Sequence, residues 1–130
     1  MQSKSGKTIQ VIDSAFGCPD LPIFFGAGYA KAVIWPGGGA QHRSMHLIKM
    51  ESGSSTIALF HPSDCVYYVV AGSGSIEDVT SGEAKSLGEG AMVHIDAGDH
   101  YKLLSDSGGF TVVGGPCPAD PKFYAHLVEG

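Results

Sequence analysis

The sequence predicts an all-β domain. Short stretches rich in Val, Ile, Tyr and Phe recur along it, as in Cys65–Ala71 (CVYYVVA), and such residues suit the pleated, half-buried surface of a sheet. Turn formers separate them. Nineteen Gly and seven Pro are spread over 130 residues, so few segments can sustain a helix. Where apolar residues repeat, they do so with period two. About ten short strands at close spacing follow, which suits a sandwich or a small barrel. The length fits one domain, 1–130, with a single hydrophobic core.

In chain order, residues 1–7 are polar, and Thr8–Ile12 alternates as an edge strand would. Ser14–Gly28 is a loop punctuated by Gly and Pro, pinned to the core by Phe24 and Phe25. Ala30–Trp35 is a strand, stopped by Pro36-Gly37-Gly38-Gly39. That glycine run lacks the G-K-[ST] ending of a phosphate-binding loop. Arg43–Met50 is the next strand. One of its faces carries Arg43, Met45, Leu47 and Lys49, the other Ser44, His46, Ile48 and Met50. The charged ends turn the first face outward, so His46 is expected inside.

Thr56–His61 and Cys65–Ala71 read as two strands joined by His61-Pro62-Ser63-Asp64. Pro fixes its own φ there, and Ser and Asp bond back to nearby backbone. Ser73–Val79 and Ala84–Leu87 are further strands, as are Tyr101–Ser105 and Phe110–Val113 across the turn Asp106–Gly109. The core is expected over about residues 30–114. The tail, 114–130, holds three prolines close together and cannot begin as regular structure. Phe123–Val128 is expected to form a short helical turn closing over the barrel.

Composition excludes several partners. The net charge is −5, and Arg43 is the only Arg. Without a basic stripe, nucleic acid and anionic membrane surfaces are not expected partners. Heavily phosphorylated substrates usually meet Arg clamps and are disfavoured too. The three Cys (18, 65 and 117) are odd in number and form no C-x-x-C. Free thiols in a reducing, cytoplasmic setting are expected. The N-terminal stretch MQSKSGKTIQ has no apolar core of a secretory signal.

Two spaced motifs carry a family resemblance. Gly53, His61 and Gly72 fall on the frame G-x5-H-x-H-x3-E-x6-G, with Leu59 in place of the first His and Cys65 in place of Glu. Gly90 and Gly98 fall on G-x5-P-x-G-x2-H, with Asp96 in place of Pro and Tyr101 in place of His. The chain thus resembles the cupin superfamily over residues 44–114. That resemblance implies a double-stranded β-helix, a jelly-roll barrel with one open mouth, and a homodimer. An outward apolar face of Val66, Tyr68 and Val70 would serve the dimer. Ser44-Met45-His46, Asp96 and the Pro-rich tail are more faintly similar to ectoine synthase, a ring-closing cupin.

In cupins the motif residues hold iron, manganese, nickel or zinc in the mouth. Here Leu59 cannot ligate, His61 can, Cys65 offers a soft thiolate, and Tyr101 ligates only when deprotonated. A metal set of His61, His46 and Cys65 and a metal-free mouth both stay open. The metal-free reading makes the protein a small-molecule enzyme of isomerase, cyclase or lyase type. Its candidate bases are His61 and His46, and its candidate acids are Tyr101 and Tyr67. Cys65, Leu59, Val93 and Leu103 would line the substrate, a small carboxylate or sugar. A metal-dependent cupin with altered His/Cys ligands, such as an oxygenase, is one alternative, and a non-catalytic small-ligand-binding cupin is the other. Bland roles compete at several positions. A core hydrogen bond would suffice for His46 and His94, and simple packing for Cys65, Tyr67 and Tyr68. His42, His100 and His126 lie near turns and are expected in solvent, with His100 facing away from the mouth if the register is unbroken.

Overall fold

The computed structural model describes residues 9–129. Among them eight strands share one sheet that wraps into a nearly closed barrel. They are β1 (Phe24–Phe25), β2 (Gly28–Ile34), β3 (Met45–Met50), β4 (Ser55–Thr56), β5 (Cys65–Asp78), β6 (Ala84–Leu87), β7 (Met92–Ile95) and β8 (Tyr101–Pro116). The order is β1-β4-β8-β3-β2, and β5 adds onto β8 while also pairing β6 and β7. All of these pairings are antiparallel.

The two longest strands, β5 and β8, run the length of the barrel, with Cys65 opposite Pro116 and Asp78 opposite Tyr101. Each replaces two expected strands. The expected break at Gly72 is a bend instead. Gly72 sits at φ +76°, a conformation open to Gly without steric cost. A Cβ there would strike the Gly109 carbonyl, and one at Gly74 the Leu104 carbonyl. Between these glycines the β8 partner jumps from Phe110 to Ser105, so residues 106–109 bulge out of the ladder, which also shifts register between Val69 and Ala71.

Period-two burial holds where the sequence suggested it. In β5, Cys65, Tyr67 and Val69 are buried, while Val66, Tyr68 and Val70 are exposed. Ser44 and then His46, Ile48 and Met50 of β3 face inward. Ile48, Val69, Leu103 and Val112 are fully buried and form the barrel's apolar floor. Each such side chain stabilises the fold by about 1.5–3 kcal/mol relative to exposure.

Two expected strands are corrected. Thr56–His61 shrinks to β4 plus one bridge, where Leu59 and Tyr101 exchange two backbone hydrogen bonds of 2.8 Å. The chain changes partners there, because Ile57 N–H bonds instead to the Ile23 carbonyl. Of Thr8–Ile12, Thr8 lies outside the described residues, and 9–12 form no strand. Ile9 and Val11 are more than four-fifths exposed, so no packing holds them extended.

Beyond β8 the tail is laced to the rim. Ser44 Oγ donates to the Pro116 carbonyl at 2.6 Å. Cys117 N–H reaches the Asp64 carbonyl at 3.0 Å, and Ala119 N–H the His42 carbonyl at 2.6 Å. A 3-10 turn, Pro121–Tyr124, then leads into α1 (Ala125–Glu129). Asp120 is the N-cap, accepting from the Lys122 N–H at 3.0 Å. Pro121 follows at the first helical position, where its missing N–H costs nothing. This is the helical closure expected of the tail, and it buries Phe123 and Tyr124.

Candidate functional site

The barrel mouth contains two polar systems separated by one aromatic ring. The first is a chain of four side chains from three parts of the sequence. Asp120 Oδ2 lies 2.8 Å from His61 Nδ1, and His61 Nε2 lies 2.7 Å from the Tyr101 hydroxyl. The Tyr101 hydroxyl lies 2.7 Å from that of Tyr67. All four side chains are buried. One assignment of protons satisfies every member. Neutral His61 donates from Nδ1 to the carboxylate, Tyr101 donates to Nε2, and Tyr67 donates to the Tyr101 oxygen.

Burial lowers the His61 pKa, and the nearby Lys122 ammonium adds to this, while the Asp120 hydrogen bond and charge pull it back up. Burial wins, so the neutral imidazole is the resting form. Burial likewise holds Tyr101 and Tyr67 well above the usual phenol range. Both are therefore proton donors at neutral pH. Cys65 Sγ sits 3.8 Å from the Tyr101 hydroxyl. Burial pushes its thiol up to about 11, against weaker opposing hydrogen bonds from the two tyrosines. It is a buried thiol and not a ready thiolate.

The second system is His46 and Tyr124. His46 Nε2 lies 2.7 Å from the Tyr124 hydroxyl. His46 is fully buried, and its Nδ1 has no hydrogen-bond partner. Burial, aided by the neighbouring His61, lowers its pKa to about 4. An unpaired buried nitrogen costs about 1–3 kcal/mol. Phe123 stands between the two systems, with ring centroids 4.6 Å from His46 and 5.1 Å from His61.

The sequence-predicted residues thus divide. His61, Tyr101 and Tyr67 come together, with Cys65 beside them, but His46 belongs to a different hydrogen-bonded pair. The expected single cluster is corrected on that point: the Phe123 ring fills the gap. Tyr101 points inward, and His100 lies in solvent, stacked on Phe60 at 4.4 Å. Leu59 lines a cleft of about 210 Å³ that reaches His61 and Asp120 between Ile57, Phe60 and Phe123. Val93 and Leu103 do not line that cleft. Leu103 is sealed in the floor, and Val93 borders a separate cavity of about 270 Å³ with His94 and His100.

The metal set is corrected as well. The donor atoms of His46, His61 and Cys65 do not converge. Among the described residues the group of three such side chains with ligand atoms within 4.8 Å of one another is Asp64, His94 and Asp96, all exposed. Both His61 nitrogens are already engaged, one by Asp120 and one by Tyr101. As placed, His46, His61 and Cys65 do not form a metal site.

Two contributors escaped sequence reasoning, Asp120 and Tyr124. Asp120 lies 59 positions from His61, in a segment without periodicity. The only local signal is Asp-Pro at a helix start, which marks a cap and not a carboxylate reaching a motif histidine. Tyr124 lies 78 positions from His46.

The architecture is shared with solved proteins. The polyketide cyclase RemF from Streptomyces resistomycificus aligns with 88% of this chain and 82% of its own, at 16% identity and TM-score 0.68. A cupin-like protein from Thermotoga maritima aligns with 88% of this chain and 84% of its own, at 18% identity and TM-score 0.68. A predicted oxalate decarboxylase from the same organism aligns over 81% and 97%, at 18% identity and TM-score 0.61. No family model matches the chain, and no curated protein matches it by sequence. The chain has the cupin fold, a double-stranded β-helix.

Proposed function

We propose that the protein is a small-molecule enzyme of the isomerase, cyclase or lyase kind, working by acid/base chemistry in the barrel mouth. The observation that carries this is the Asp120–His61–Tyr101–Tyr67 chain. Asp120 fixes the His61 tautomer, so Nε2 is the basic nitrogen, and its negative charge steadies the imidazolium formed when Nε2 takes a proton. A substrate with an acidic C–H beside a carbonyl gives that proton to His61 Nε2, while Tyr101 gives its hydroxyl proton to the carbonyl oxygen. The products are an enol, an imidazolium and a tyrosinate that receives a hydrogen bond from Tyr67. Transfer from His61 to Tyr101 across their shared 2.7 Å contact resets both groups. The fold is compatible with such work, since chains that share it include a polyketide cyclase and a predicted oxalate decarboxylase.

The test is deuterium incorporation from D2O, read by NMR, across a panel of small carbonyl acids, sugars and hydroxy-carbonyl compounds. Exchange by the wild type that falls to background in His61→Ala is the expected result. Exchange unchanged by His61→Ala overturns the reading. A non-catalytic ligand-binding role is the second reading, favoured by the aromatic tail seated in the mouth. It predicts saturable binding with no turnover of any bound compound.

For assembly we propose a homodimer through the exposed Val66, Tyr68 and Val70 of β5, with Met92 beside them on β7. Light scattering should give the mass of two chains, falling to one in Tyr68→Glu. A single-chain mass for the wild type removes this proposal. No helix is long and apolar enough to cross a membrane among the described residues.

A further inference from the structure

The tail fills the mouth with chemistry that indicates what else could fill it. Phe123 presents its ring between His46 and His61, meeting the His46 imidazole edge-on. Tyr124 packs against Trp35, with centroids 4.8 Å apart, and brings its hydroxyl to His46 Nε2 at 2.7 Å. The walls are therefore complementary to aromatic rings bearing one hydroxyl at a fixed place. His46 also keeps a second nitrogen that the tail leaves unpaired.

The tail is held differently on either side of Asp120. Up to Asp120 it is fastened by the buried Ser44 and His61 side chains and by the Ala119 backbone bond to His42. Beyond Asp120 the polar side-chain contacts to the barrel are exposed ones from Lys122 to the Phe60 carbonyl and His126 to the Asp20 carbonyl, besides the Tyr124 hydroxyl itself. Lifting residues 121–129 with Asp120 held on His61 would cost those contacts and expose the buried Phe123 and Tyr124 rings.

We propose that the space filled by the Phe123 and Tyr124 rings is the compartment for a hydroxylated aromatic molecule of one or two fused rings. Its ring replaces Phe123 between the imidazoles, and its hydroxyl replaces the Tyr124 phenol on His46. The proposal rests on the acid/base reading in taking the mouth as the working site, and it adds the substrate class and gives His46 the role of anchor. The tail is then an internal competitor that closes the barrel when no ligand is present.

The experiment uses the full-length chain and two probes, 2-naphthol and naphthalene, followed by probe fluorescence. Phe123→Ala/Tyr124→Ala should bind 2-naphthol roughly tenfold more tightly than wild type, and about fivefold more tightly than it binds naphthalene, the factor one hydrogen bond supplies. Adding His46→Leu should erase that preference and leave naphthalene binding in place. A double variant that melts cooperatively yet binds 2-naphthol no better than wild type overturns the proposal, as does a preference that survives His46→Leu. If the double variant does not fold, Tyr124→Phe replaces it. A gain of about fivefold for both probes is then expected, with the preference for 2-naphthol kept, and no gain overturns the proposal. Binding is read without turnover, so its failure is separable from that of the acid/base reading, which falls only if His61→Ala leaves exchange intact.

Discussion

Two histidines face the interior of one barrel, and their surroundings differ. His61 has both nitrogens engaged, by a carboxylate on one side and a phenol on the other. His46 has one phenol on Nε2 and no hydrogen-bond partner on Nδ1. Burial lowers the pKa of each, but only His61 has a buried carboxylate pulling it back toward neutrality. A base must be able to hold a proton during the reaction, so the carboxylate decides which histidine can serve. On the acid/base reading, His61 is the histidine placed to take the proton, and His46 the one that stays neutral.

The largest expected effect comes from removing that distinction. Asp120→Asn keeps the shape but can present an amide N–H to His61 Nδ1, which favours the wrong tautomer and puts the N–H on Nε2. Turnover should fall by about 10²–10⁴-fold, with the N-cap at Lys122 preserved by the Asn oxygen. The equivalent disturbance at the other site, Tyr124→Phe, should leave the chemical step within a few-fold of wild type. Equal losses in the two variants would mean that the two histidines share one role.

The next effect is on stability and has a definite sign. His46 has a folded pKa of about 4 against an ordinary value of 6.5. Below pH 6.5 the unfolded chain takes up a proton that the folded chain refuses. Stability is thus fully present above about pH 6.5 and is lost as pH falls toward 4, at up to about 1.4 kcal/mol per pH unit. The whole window amounts to about 3 kcal/mol. His61 shifts in the same direction and steepens the loss. Urea midpoints at pH 7 and pH 4.5 should differ strongly in wild type and clearly less in His46→Leu. A pH dependence unchanged by His46→Leu would show that this imidazole is not held neutral by burial.

How far the sequence could be read follows the same division. Period two placed His46 inside, because β3 is regular and its faces differ in charge. The motif frames placed His61 and left open whether Tyr101 or His100 turns inward; Tyr101 is the buried one and His100 is exposed. What stayed hidden depends on the tail. Asp120 and Tyr124 act on partners 59 and 78 positions away, across a segment whose path is set by backbone bonds to Asp64 and His42 and not by any repeat. The strand 56–61 failed for a related reason. Its residues favour a sheet, but the available partner changes from Ile23 to Tyr101 within three positions. The breaks expected at Gly72 and at 106–109 became a bend and a bulge, since a glycine that stops a short strand can also let a long one curve.

A smaller effect separates the two phenols that meet these histidines. Tyr101 joins His61, Tyr67 and, more loosely, Cys65. Its removal as Tyr101→Phe strands the His61 acceptor and the Tyr67 donor together, at a cost of about 2–4 kcal/mol by the range for unsatisfied buried groups. Tyr124→Phe strands only His46 Nε2 and should cost about 1–2 kcal/mol. The imidazole can change tautomer, but one nitrogen is already unpaired, so it gains nothing by doing so. Urea denaturation of the two variants at pH 7 gives the ordering directly. If Tyr124→Phe proves the more damaging, the tail's hydroxyl holds the mouth closed more firmly than the four-residue chain holds itself. The asymmetry between the two sites would then be one of closure and not of proton handling.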